Sequence, residues 1–362
     1  MEKIPWRGRY HFMHATQRSV QSAGQSRPGT VRRRTVLAAA GLAAPFLPRF
    51  ARAAQFSWRI GHSAPPDFAL HLRLKEAAAA IATRSEGQMA VEVYPNSELG
   101  SPIGLLAQVR AGTVDGVPLT SQMLSKDLSI ASLPTVGFAF NGYAQLWPAI
   151  DGGLGTYIRF LTKERLGLVA MDRCWDFGFR QITTAGKPVN AAGDMAGLRL
   201  RTPPEAEFIT LFQALKALPV PMPLSALEKA LNSHSVDGQD SVLPLVVAAG
   251  LFRYQSLCAL TNHVWDGQWL CVSGKSWAAL PDKVKDMVAG SFNEAAMKQR
   301  QDVADTDRKI RDILQSNGMT FNTPDPAGFR SVLRQSGYYA TWQARMGDDG
   351  WAALTKYTGK LA

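Results

Sequence analysis

The chain has 362 residues, 46% of them hydrophobic and 19% charged, enough to bury one large core or two ordinary ones. Its formal net charge of +11 suggests a nucleic-acid binder, but residues 1–53 hold ten Lys/Arg against a single acid, Glu2. The remainder is close to neutral and carries neither a basic block nor a stacking-aromatic groove, which excludes that class.

The leader comes first in chain order. Arg32-Arg33-Arg34, the apolar run Val36–Leu47 and the small-x-small site Ala51-Arg52-Ala53 have the layout of an export signal cleaved near Ala53. The run is too short to span a bilayer comfortably, which places an uncleaved anchor behind a cleaved signal. Arg33-Arg34-Thr35-Val36-Leu37 is similar to the twin-arginine signal, and a Sec signal with a basic n-region also fits. Export of a nearly neutral body points to the periplasm.

Beyond the leader, short apolar runs alternate with helical patterns. Strands are expected at Phe56–Gly61, Met89–Tyr94, Val114–Thr120 and Gly167–Cys174, and helices at Phe68–Arg84 and Ile103–Ala111. This cadence argues for an α/β protein with parallel-rich sheets. Pro281–Asn317, free of proline after its first residue and closed by Gly318, reads as one long helix or two abutting ones. Cys174, Cys258 and Cys271 form no CxxC and lie in apolar runs. They are read as buried thiols, with a Cys258–Cys271 disulfide the alternative in an oxidising compartment. No histidine has metal-ligand spacing, and His263 reads as structural.

The most informative stretch is GLRLRTPPEAEFITLFQALKALPVPMPLSALEKALNSHSVDGQDS, residues 197–241. Arg201 ends an alternating run, and Thr202-Pro203-Pro204-Glu205 follows with capping-box spacing and proline at the first helical position. The guanidinium is therefore expected at a strand-to-helix junction, where open α/β folds place ligands. It offers a planar fork matched to a carboxylate, although a surface ion pair is the plainer role on these residues alone.

GLRLRTP, ALPVPMPLSALEKAL and SVDGQ resemble, in order and spacing, the dicarboxylate-binding DctP-like family, the solute-binding proteins of tripartite ATP-independent periplasmic (TRAP) transporters. So do VEVYPNSELGSPIGLLAQVRAGTVDG (91–116), LPTVGFAF (133–140), GFRQITT (178–184), LTNHVW (260–265) and LPDKVKDMV (280–288). The resemblance spans roughly residues 56 to 345. It implies a two-lobed, flytrap-like periplasmic-binding-protein fold with crossing hinge strands near Cys174–Arg180 and His263–Cys271, bridged by a long helix. Lobe I would take 55–178 plus 267–306, and lobe II 179–266 plus 307–360.

The resemblance implies Arg201 as the main carboxylate-binding residue and Arg180 as the second. The plainer role for Arg180 is a strut paired with Asp176 or Asp240. Gln239 and Ser241 belong to the same family motif, and Ser241 replaces its usual ligand-contacting asparagine, with shorter reach and no amide. Thr120 stands where sialic-acid binders have an acid, which argues against an amino sugar. Leu224 aligns with a ligand-flanking apolar position, and Ser225-Ala226-Leu227-Glu228 keeps a capping box but loses an aromatic. Trp175 is the expected aromatic wall, with Trp265 and Trp269 as further candidates and core packing the competing role.

The implied function is a periplasmic receptor that captures a small organic acid and delivers it to TRAP permease membrane subunits, with a tilt toward a bulkier or aromatic monocarboxylate. No metal, ATP or other cofactor is implied, nor any nucleic-acid partner, and the receptor would be a monomer or homodimer. A ligand-binding partner of a sensory receptor would need the same cleft. An exported enzyme is the third reading, but the chain has no G-x-S-x-G, HExxH or G-x-G-x-x-G.

Overall fold

A computed structural model describes residues 54–362. The expected leader lies outside the described residues. Within them, no helix is long and apolar enough to cross a membrane. Eleven strands form one hydrogen-bonded sheet: β1 Phe56–Gly61, β2 Met89–Tyr94, β3 Gly116–Thr120, β4 Leu168–Ala170, β5 Trp175–Thr184, β6 Arg199–Thr202, β7 Leu218–Pro221, β8 Gly238–Val242, β9 Leu257–Ala259, β10 Trp265–Ser273 and β11 Thr320–Asn322. The main order is β2-β1-β3-β10-β5-β8-β6-β7.

Near its ends the sheet is parallel: β1 pairs with β2 and β3, and β6 with β7 and β8. Its middle is antiparallel, because β10 runs against β3 and β5, and β5 runs against β8. The expectation of parallel-rich sheets therefore holds for the two flanks and fails at the centre. There, two long strands cross between the flanks in opposite directions.

Alternation builds β1, where Trp58 and Ile60 are buried and Ser57 and Arg59 are exposed. The helix Ala69–Arg84 buries Leu70, Leu74, Ala77, Ala78 and Ile81, a helical stripe laid on that side of the sheet. The helix Asp282–Ser316 is continuous over 35 residues, about 50 Å at the α-helical rise. Its Val284, Val288 and Phe292 share a core with Trp58 and Trp175, whereas Ile310 and Leu314 join a separate core with Leu227, Leu231 and Val246. One helix thus bridges two packed clusters.

A third, larger core takes in the C-terminal helix Tyr338–Thr358, broken at Gly347 where φ is 72°. Its Tyr339, Trp342 and Trp351 pack in one cluster with Leu133, Ile150 and Leu154, and with Phe208 and Leu211. The three cysteines are buried free thiols, so the Cys258–Cys271 bridge is not formed.

Candidate functional site

Where β5 meets β10 the register slips. Gly178 pairs with Asp266, but Asp176 pairs with Gly267, leaving Phe177 as the extra residue of a β-bulge. Gly178 takes φ of +101°, a backbone setting that side chains disfavour. Across the bulge, where Gly267 pairs with Asp176, a Cβ on Gly267 would come within 2.0 Å of the Trp265 ring. The bulge changes which side chains face which way. Trp175, the expected aromatic wall, is 1% exposed and packs with Trp58 and Phe292 in the core. Phe177 lines the adjacent cavity in its place. Trp265 and Trp269 are likewise core residues, Trp265 donating from Nε1 to Asp176 Oδ1 at 2.8 Å.

That cavity is about 620 Å³, a size suited to a small-molecule ligand. Its wall includes Thr120, Gln122, Phe177, Arg180, Phe208 and Asp266. The residues come from the end of β3 and the short helix after it, from β5, from the start of β10 and from the helix Ala206–Ala214 that follows β6, so both flanks of the sheet contribute. Thr120 Oγ1 caps the short helix Ser121–Ser125 by accepting from Met123 N at 3.2 Å, which leaves its own O–H free to donate.

Arg180 is buried and almost saturated. Its Nε and Nη2 donate to Asp240 Oδ1 and Oδ2 at 2.7 and 2.9 Å, and its Nη1 to Asp266 Oδ2 at 2.7 Å. Phe208 covers the guanidinium face at 4.5 Å. Burial alone would lower its pKa, but the two carboxylates overcome that and push it up. Burial would raise Asp240, yet Arg180 and His263 hold it well below the usual carboxylate range. His263 is fully buried, bonded to Asp240 Oδ1 and Thr261 Oγ1, both at 2.7 Å. The strut role therefore describes Arg180, with partners Asp240 and Asp266; Asp176 is not one of them.

Arg201 differs. It is 4% exposed, and its Nε and Nη2 both donate to the Met222 carbonyl, at 3.0 and 2.9 Å. Among the described residues no carboxylate lies within ion-pair distance of it. Burial brings its pKa down to about 10; Asp240 and Glu205 raise it and Arg180 lowers it. The ladder pairs Arg201 with Gln239, and alternation puts Gln239 and Ser241 on one face. Gln239 Nε2 donates to Thr183 Oγ1 at 2.8 Å, while its Oε1, the Ser241 hydroxyl and the Thr202 hydroxyl are buried without hydrogen-bond partners. The arrangement is an unpaired buried cation beside unused polar groups. Arg201, Gln239 and Ser241 are not part of the cavity wall, although Pro203 and Glu205, from the same segment as Arg201, are.

Two local expectations fail. The helix after Arg201 begins at Ala206, not Pro203, because a residue before proline is driven extended and here two prolines follow in series. Thr202 therefore does not cap it. The helix Leu224–Asn232 starts one residue before Ser225, so that capping box does not form, and Glu228 accepts instead from Tyr254. Leu224 packs against the Leu227 cluster and is not part of the cavity wall. Sequence reasoning missed Phe177, Phe208, Gln122 and Asp266. Asp266 and Phe177 had a signal, since each directly adjoins a family-like run, LTNHVW and GFRQITT, and Phe208 lies within the 197–241 stretch.

A family model described as bacterial extracellular solute-binding protein, family 7 (DctP), matches residues 60–338. A solute-binding protein of Roseobacter denitrificans is 28% identical over 302 residues, covering 83% of this chain and 91% of that protein. Its solved structure, with bound L-galactonate, matches at TM-score 0.68 and 26% identity over 79% of this chain and 95% of that one. The 2,3-diketo-L-gulonate-binding periplasmic protein of Escherichia coli is 27% identical over 278 residues, 76% of this chain and 84% of that protein. A TRAP periplasmic solute-binding protein from Ochrobactrum anthropi superposes at TM-score 0.80 with 24% identity, covering 85% and 95% of the two chains. These neighbours share the two-lobed fold.

Proposed function

The chain belongs to the bacterial extracellular solute-binding proteins of family 7, and on that premise we propose that it captures a small organic acid and delivers it to TRAP permease subunits. The observation that carries the ligand class is Arg201, a buried guanidinium with no carboxylate partner. An unpaired buried cation is costly, and a ligand carboxylate relieves that cost while gaining charge-assisted hydrogen bonds of about 1.5–3 kcal/mol each. Arg180, already clamped by Asp240 and Asp266, adds field and has one N–H to spare. Ser241 and Thr120 supply hydroxyls for the rest of the ligand. The role is binding: no bond of the ligand is made or broken.

All three expected tryptophans are buried in the core and none lines the cavity, which removes the reason for expecting an aromatic acid. L-Galactonate in the Roseobacter neighbour and diketogulonate in the name of the Escherichia relative point the same way, toward a hydroxylated acid. The leader 1–53 would export the chain and be removed near Ala53. N-terminal sequencing of protein recovered from the periplasm checks this, and a retained leader would overturn it.

Titration calorimetry against a panel of aldonates, hexuronates and simple C4 acids tests the site. Wild type binds at least one of them. Arg201→Ala loses that binding by two orders of magnitude or more, about 3 kcal/mol, and Arg201→Lys recovers only part, because an ammonium lacks the fork. Binding by Arg201→Ala at wild-type strength would remove Arg201 from the site.

A further inference from the structure

We propose that Asp266 is the specificity-determining acid of this cavity, admitting hydroxylated monocarboxylates and rejecting dicarboxylates; the assignment rests on the carboxylate-binding reading above. Charge bookkeeping around Arg180 is the first reason. Its one positive charge is already matched by Asp240, which grips it through two oxygens and is itself buried completely. The charge of Asp266 is therefore left over, and Asp266 is the member of the trio that reaches the cavity wall with Arg180.

Geometry is the second reason. Asp266 Oδ2 accepts from Arg180 Nη1 at 2.7 Å and Oδ1 from Gln122 Nε2 at 2.9 Å, so the carboxylate is fixed from both sides. Each oxygen keeps a further lone pair, which suits a ligand O–H and repels a ligand carboxylate. Glu205 adds a second acid to the wall, and His62, pushed down to about 4 by burial and then by His71, brings no compensating positive charge at neutral pH. Lys126, the other cation of the wall, is exposed.

L-Galactonate and galactarate test this directly, since they differ only in a terminal CH2OH against a second carboxylate. Wild type is expected to bind L-galactonate at least tenfold more tightly by calorimetry. In Asp266→Asn that preference shrinks about tenfold or more, and in Asp266→Glu the rejection of galactarate persists. A measurement on wild type alone guards against a variant that misfolds: the monoamide of galactarate has the diacid's shape without its second charge, and should bind at least tenfold more tightly than galactarate. An unchanged preference in Asp266→Asn, or equal binding of galactarate and its monoamide by wild type, overturns the proposal while leaving Arg201 untouched. Wild type that binds C4 acids but none of these hydroxylated acids also overturns it, whereas the Arg201 reading falls only on the Arg201→Ala result.

Discussion

Arg180 and Arg201 look equivalent in the sequence, two arginines in family-like motifs near strand ends. The structure separates them by what their N–H groups already hold. Arg180 faces two carboxylates and Arg201 a single carbonyl, a difference that depends on residues 60 and 86 positions away from Arg180 and could not be read locally. Asp176 shows the same dependence on distant partners. Buried beside the bulge, it accepts from Trp265 Nε1 and Gly178 N, both at close range, yet burial outweighs these bonds and lifts its pKa to about 6. An acid whose folded pKa is raised is more easily protonated in the native state, so its penalty is absent below about pH 4 and complete above about pH 6. At about 1.4 kcal/mol per pKa unit, the charged form costs roughly 3 kcal/mol. Asp176→Asn keeps an acceptor oxygen for both donors without the charge. Urea unfolding from pH 4 to 8 should show the variant matching wild type at the acid end and exceeding it by about 2–3 kcal/mol at pH 7. A constant difference across that range would show that its surroundings do not raise the Asp176 pKa.

Elements were legible wherever one period ruled a run. Phe56–Gly61 and Met89–Tyr94 appear with the expected bounds, and the long helix falls within a residue of its expected span. In each, alternation or the 3.6-residue stripe agrees with the chain's own caps and breakers. The elements that failed are those where a backbone rule competes with side-chain spacing. Thr202-Pro203-Pro204-Glu205 has the letters of a capping box, but serial prolines hold the chain extended until Glu205. Gly167–Cys174 has the composition of a strand, but only Leu168–Ala170 pairs, with β10, before the chain turns into β5. The bulge at Phe177 left no trace in local pattern at all. It is set by cross-strand packing, through Trp265 lying over Gly267, and it exchanges the cavity wall between Trp175 and Phe177. That one-residue slip is why the aromatic expectation chose the wrong ring.

At the scale of the whole molecule, the crossing strands decide how the cavity can respond. β5 and β10 pair antiparallel at the sheet's centre and connect its two parallel flanks, and the helix Asp282–Ser316 ties the cores on either side. Gln299 on that helix fixes the hinge closely: its amide accepts from Asp176 N at 2.9 Å and donates to Asp176 O at 2.7 Å, beside the bulge. Any rotation of one flank against the other must therefore pass through β5, β10 and that helix and not through a loose linker, with the bulge at Phe177 and Gly178 on one of the three connections. Because the cavity draws its wall from both flanks, a ligand that touches both sides favours the closed arrangement by its differential contacts. Small-angle scattering of the body without residues 1–53 should then show the radius of gyration, about 19 Å when compact, falling on saturation with an acid that wild type binds. Arg201→Ala should show no fall at the same acid concentration, and Gln299→Ala should bind but close with altered amplitude. A radius that stays fixed while calorimetry reports full occupancy would mean the flanks do not move on binding.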